Sequence, residues 1–146
     1  MKRIFFWTIF AVAALSALPV ATAFAQSGQC GGNLIAHRPI TMPNGTRIGE
    51  LQLYYNPSNG RNCARTVKGG PAWGVPSITA VSLARCRNRS DRECGIDLRF
   101  DVQPYYRHFA GPVRVPARNS CIRAAGYIDF RGGRHWANTI YGHCGG

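Results

Sequence analysis

The sequence predicts an all-β fold: a small single-domain barrel or sandwich of about seven short strands, stapled by disulfides. Three observations carry this. Apolar residues recur at alternate positions over short segments, the period of a half-buried strand. Gly, Pro and Asn clusters interrupt those segments and leave almost no run with helical spacing. Six cysteines (Cys30, Cys63, Cys86, Cys94, Cys121 and Cys144) fall in a chain that reads as exported, where an even count implies disulfides.

Export is written in residues 1–25. Lys2 and Arg3 precede an uncharged apolar stretch from Ile4 to Val20, and Ala23-Phe24-Ala25 matches the small-x-small rule for signal peptidase. The reading is a cleaved leader over 1–25 and a single secreted domain over 26–146, soluble and with no stable membrane insertion after cleavage. Ser27-Gly28-Gln29 ahead of Cys30 is not a lipoprotein box, which argues against a lipid anchor.

Within the domain, Arg47 to Tyr55 alternates, with Leu51, Leu53 and Tyr55 on one face and Glu50, Gln52 and Tyr54 on the other. Asn56-Pro57-Ser58-Asn59-Gly60 is a turn signal, and Cys63 to Val67 continues as a partner strand. Gly69-Gly70-Pro71 breaks the chain before a loop holding Trp73, and Ile78 to Arg87 reads as the next strand. Ile96, Leu98, Phe100 and Val102 alternate with Asp97, Arg99 and Asp101, which predicts a strand with the apolar set buried. Pro104 to Phe109 suggests one helical turn, and Val113 to Val115, between Pro112 and Pro116, suits a sheet edge.

Cys121 to Phe130 and His135 to Cys144 flank Arg131-Gly132-Gly133-Arg134, a hairpin signal. With Gly132-Gly133 as the turn, Arg131 faces Arg134, Ile128 faces Ala137 and Cys121 faces Cys144. Six cysteines allow fifteen pairings. The hairpin register favours Cys121 with Cys144, the short intervening loop favours Cys86 with Cys94, and Cys30 with Cys63 follows by elimination.

Several short stretches together resemble a known family. They are Tyr54-Tyr55-Asn56, Gly60-Arg61-Asn62-Cys63-Ala64, Ala84-Arg85-Cys86, Ala110-Gly111-Pro112-Val113, the Cys121 strand and the ending His143-Cys144-Gly145. This pattern is similar to the spore-associated protein A family, small secreted proteins of filamentous actinobacteria. The resemblance covers nearly the whole domain and all six cysteine positions. It implies an exported, disulfide-held domain at the cell or spore surface, and it supplies no reaction and no catalytic residue.

Charge narrows the function. Without Lys2 and Arg3, sixteen basic residues stand against six acidic ones, a net charge of +10, and Lys68 is the only lysine among the sixteen. Arginine codon bias in a GC-rich genome would produce the same excess, yet the charge draws the protein toward polyanions whatever its origin. Arg87, Arg89 and Arg92 lie in or beside the Cys86–Cys94 loop, and Arg131 and Arg134 at the hairpin tip, so these five are the candidate binding residues. Tyr54, Tyr55, Trp73, Tyr105, Tyr106, Trp136 and Tyr141 are candidate stacking platforms for sugars or bases, though a small β-domain is expected to use half or more of them as core.

Catalysis has weaker support. A nuclease would draw on Glu50, His108, His135 and His143 with Arg107, Arg131 or Arg134 nearby, but His135 and His143 stand about 25 Å apart on one straight strand. No Gly-x-Ser-x-Gly occurs, and neither histidines nor cysteines have metal-site spacing, so no catalytic residue, cofactor or metal is assigned. The expectation is a secreted, basic, non-catalytic cell-surface protein that binds an anionic envelope polymer or an acidic protein, with any nucleic-acid contact non-specific. The alternatives are a small secreted nuclease or other hydrolase, and a secreted enzyme inhibitor.

Overall fold

A computed structural model describes residues 29–87, 94–139 and 143–144. The expected leader over 1–25 lies outside these residues, as do Arg89, Arg92 and Tyr141. The chain runs β1 (Asn33–Thr41), β2 (Arg47–Asn56), β3 (Arg61–Lys68), a single 3-10 turn at Gly70–Ala72, β4 (Ser77–Cys86), β5 (Cys94–Tyr106), β6 (Phe109–Pro116), β7 (Cys121–Phe130), β8 (Gly133–Asn138) and β9 (His143–Cys144). The strands form two antiparallel sheets. Sheet A has the order β1-β2-β3-β6; sheet B has the order β5-β4-β7-β8, with β9 also beside β7.

One aliphatic core joins the two sheets. Leu51 and Leu53 of β2, Ala64 of β3 and Val113 and Val115 of β6 cluster with Val81 and Leu83 of β4 and Ile122, Ala124 and Ile128 of β7. The fold is therefore a sandwich, and it has nine strands among the described residues where about seven were expected. The strand that the sequence did not suggest is β1. Its segment carries Pro39 and buries only Ile40, so it shows no alternation, as suits its place at the edge of sheet A.

Pro104 to Phe109 forms no helical turn. Strand β5 runs extended through Pro104 to Tyr106, and β6 begins at Phe109. Strand β5 lies at the edge of sheet B, where the missing proline N–H leaves no ladder bond unmade. Position Val113–Val115 does lie on an edge strand, β6 of sheet A.

The hairpin between β7 and β8 turns one residue earlier than expected. Arg131 and Gly132 take the two positive φ values, 50° and 77°, of a type I′ turn. Asp129 therefore faces Arg134, and Ile128 faces His135 and not Ala137. The displacement is two in register, an even number, so every side chain keeps its face. Cys121 still faces Cys144, because β9 pairs with β7 separately from β8. All three disulfides have the sequential pairing: Cys30–Cys63, Cys86–Cys94 and Cys121–Cys144. They tie the segment ahead of β1 to β3, join β4 to β5 at the end where the chain connects them, and close the open end of the β7–β9 pair.

Two close polar contacts fix how the sheets meet. Thr66 of β3 points at Gly126 of β7 and donates its hydroxyl to the Ala80 carbonyl oxygen at 2.8 Å. A Cβ at Gly126 would overlap Thr66 Oγ1, so the residue there has to be glycine at this sheet separation. At the corner, the Lys68 ammonium is only 2% exposed and donates to Val75 O (2.6 Å), Ser77 Oγ (2.6 Å) and Tyr106 O (3.0 Å). Three donors meet three acceptors, while burial holds its pKa below the ordinary lysine value. The lysine singled out by composition is thus a structural pin between β3, the start of β4 and the end of β5.

Replacing Gly126 with Ala is expected to destabilise the domain by about 2 kcal/mol through this overlap. The measurement is a lowered urea midpoint at unchanged slope. A variant as stable as the wild type would show that the sheets do not approach this closely.

Candidate functional site

The outward faces of the two sheets differ in chemistry. On sheet A, neighbouring strands carry a polar lattice. Gln52 Nε2 donates to Glu50, Arg47 pairs with the same carboxylate, and Gln52 Oε1 accepts from Tyr54 OH (3.0 Å) and Arg65 Nε (2.7 Å). On sheet B the outward face is apolar and aromatic.

That face follows from Asp101. Its carboxylate points between the sheets, accepting from the Tyr106 hydroxyl at 2.7 and 2.8 Å and from the Gly111 amide at 2.6 Å. Side chains alternate along a strand, so an inward Asp101 sends Phe100 and Val102 outward. Phe100 is 69% exposed, and Leu98 and Val102 are exposed as well. The expectation that Ile96, Leu98, Phe100 and Val102 form one buried face is thus overturned for Leu98, Phe100 and Val102, while Ile96, beyond a register shift, is half-buried. At Asp101 the inner side of this edge strand is polar and hydrogen-bonded, and Leu98, Phe100 and Val102 face water.

Cross-strand pairing then assembles a groove. In one row Val102 faces Ala80, Ala80 faces Tyr127, and Tyr127 faces Trp136; in the next, Phe100 faces Ser82 and Ser82 faces Ala125. Small side chains on β4 and β7 make the floor, and Phe100, Val102, Tyr127 and Trp136 make the walls of a space of about 250 Å³. Strands β5 and β7 are two strand spacings apart, about 10 Å. The Tyr127 and Trp136 rings lie 4.5 Å apart between centroids, tilted by 51°. Arg134 covers the Tyr127 ring at 4.0 Å and forms a two-pronged pair with Asp129 at 2.7 and 2.8 Å, which fixes its guanidinium plane at the groove's end.

The candidate binding arginines are distributed unevenly about this groove. Arg134 borders it, and Arg131 lies at the adjoining hairpin tip with its guanidinium 5.3 Å from the Phe130 ring centroid. Arg87 is exposed just beyond Cys86, at the other end of β4, while Arg89 and Arg92 lie outside the described residues. Of the candidate platforms, Trp136 forms a wall. Trp73 is exposed and stacks against His108 at 4.5 Å, Tyr105 is exposed, and Tyr54, Tyr55 and Tyr106 are half-buried. The expectation that half or more of these rings form the core does not hold for the described residues, whose buried core is aliphatic. Phe100, Val102 and Tyr127 were missed as surface residues. The pairing of Tyr127 with Trp136 was available from the hairpin, once its turn was placed at Arg131-Gly132.

The groups considered for nuclease chemistry have separate surroundings. Glu50 belongs to the lattice on sheet A, and His108 to the Trp73 stack. His135 hydrogen-bonds the Phe130 carbonyl at 3.3 Å and sits opposite Ile128. His143 sits opposite Ile122, six positions away along β7 or about 20 Å, and burial with the Arg38 charge lowers its pKa. Among the described residues, no three His, Cys, Asp or Glu side chains are grouped so as to hold a metal ion.

The chain is 28% identical over 130 residues to spore-associated protein A of Streptomyces coelicolor, covering 83% of this chain and 77% of that protein. No family model and no solved structure matches.

The Asp101–Tyr106 contact has a measurable alkaline signature. Burial first, then the hydrogen bond and charge of Asp101, push the Tyr106 phenol up to about 12. Between about pH 10 and 12 an unfolded tyrosine loses its proton while folded Tyr106 keeps it, so this group's stabilisation falls as pH rises. Tyr106→Phe is expected to lose less stability than the wild type across that window in pH-dependent urea unfolding. Parallel curves for the two proteins would contradict the inward placement of Asp101 against Tyr106.

Proposed function

We propose that this protein is an exported, non-catalytic binding domain of the cell surface that holds an anionic envelope polymer. The outward face of sheet B carries the reading. It is a preformed groove with aromatic walls and arginine at its border, in a chain whose basic residues greatly outnumber its acids. Exposed rings of this size are expensive to leave against water in a monomer, and a built groove is where a ligand would cover them. The excess positive charge draws a polyanion to the surface from a distance. Three disulfides suit work in an oxidising compartment, and the relative's name, spore-associated protein A, supports a place at the surface.

Arg131 and Arg134 at the hairpin, with the Arg87, Arg89 and Arg92 segment as a second cationic region, are the proposed anion contacts. Such exposed contacts are screened, because the Debye length falls from about 10 Å at 0.1 M salt to about 3 Å at 1 M. The purified domain, mixed with isolated envelope from the producing cells, is therefore expected to be retained at low salt and released as salt approaches 1 M. Absence of retention at low salt would overturn the reading. So would release of soluble sugar or nucleotide fragments by protein of high purity.

A further inference from the structure

The groove itself narrows the class of polymer. Resting on the envelope-binding reading, we infer that the outward groove of sheet B binds an acidic polysaccharide, stacking sugar rings on Phe100 and Trp136 and placing acidic substituents on arginines at its two ends. Arg123 is exposed on the outward side of β7, one same-face position beyond Ala125. At the other end, Arg134 pairs with β7 at Asp129. Six residues of β7 separate these two ends, about 20 Å along an extended strand. Arg134 shares its charge with Asp129, so Arg131 at the adjoining tip supplies the net positive charge of that end. An apolar trough with net positive charge at both ends is complementary to a chain whose repeating units have flat apolar faces and whose charges recur along its length.

The wall and floor chemistry favours a sugar chain over a peptide. The walls present rings, and the floor presents Ala80, Ala125 and the Ser82 hydroxyl, which donates to the Ala125 carbonyl at 3.4 Å. A peptide lying here would place amide groups against apolar side chains with few partners, and an unpaired buried amide is costly. A pyranose ring rests its C–H face on an aromatic ring and keeps its hydroxyls toward water. The groove also runs over the middle of the sheet, so strand addition at an edge, the usual way a sheet captures a peptide backbone, is not on offer here. A purely charged polymer such as a polyphosphate would use the arginines and leave the rings unused.

Polygalacturonate, polyphosphate and dextran separate these possibilities as probes. Titration of the full mature chain is expected to show saturable binding of polygalacturonate that exceeds polyphosphate at equal charge and is absent for neutral dextran. Trp136→Ala and Phe100→Ala should each weaken polygalacturonate binding about tenfold, a typical loss for one stacking contact, while polyphosphate binding stays within about twofold. Arg123→Gln should lower the salt dependence of polygalacturonate binding and leave the folded state intact by circular dichroism. Unchanged polygalacturonate affinity in both aromatic variants would overturn the groove assignment, and a preference for polyphosphate would overturn the sugar class. Tighter, Trp136-dependent binding of a proline-rich peptide would assign the groove to a peptide instead. Envelope retention at low salt is scored separately: variants retained like the wild type refute the groove alone, whereas a wild type that is not retained refutes the envelope reading beneath it.

Discussion

The inward carboxylate of Asp101 is the constraint on which the surface of this protein depends. It collects the Tyr106 hydroxyl and the Gly111 amide between the sheets, joining β5 of sheet B to β6 of sheet A. A half-buried carboxylate without such donors would be disfavoured, so the contact and the strand's orientation support each other. Once Asp101 faces in, the period of two leaves Phe100 and Val102 no orientation but outward. The nearby Lys68 ammonium reinforces the corner by binding the Tyr106 carbonyl oxygen as well as the start of β4. One polar corner thus sets the apolar face that a ligand would meet.

The two outward faces then differ in what they present to solvent. On sheet A, Glu50, Gln52, Tyr54 and Arg65 hydrogen-bond one another into a polar lattice. Sheet B presents rings over a floor of small residues, with the Asp129–Arg134 pair holding one guanidinium flat against Tyr127. Side chains already packed on one another lose little freedom when a ligand arrives, which favours binding by preorganisation. The disulfides contribute by pinning strand ends and the segment ahead of β1, so a domain with a modest aliphatic core keeps its sheets in register.

Much of the fold was legible in the sequence because it depends on local signals. The alternation of Leu51 and Leu53 against Glu50 and Gln52 placed β2, and the cysteines at Cys121 and Cys144 fell opposite each other even though the turn was set one residue late. That error was harmless, since a register displacement of two preserves every face. The β5 error was of another kind. Ile96 to Val102 has clean alternation, which reports that one face is apolar but not which side of the sheet it occupies. The partners of Asp101, Tyr106 and Gly111, decide that; they lie only five and ten residues along the chain, but the period of two does not encode their contact. The candidate site was half legible for the same reason. Trp136 and Arg134 stand out by residue type, whereas Phe100 and Val102 looked like core.

The most direct test of this account is the stability of a Phe100→Ser variant, measured by urea unfolding beside the wild type. With the ring outward and 69% exposed, the change should stay within about 0.5 kcal/mol, as for an ordinary surface substitution. A loss of about 3 kcal/mol or more, the scale for removing a buried phenylalanine, would put Phe100 in the core and contradict both the Asp101 anchor and the groove built on it.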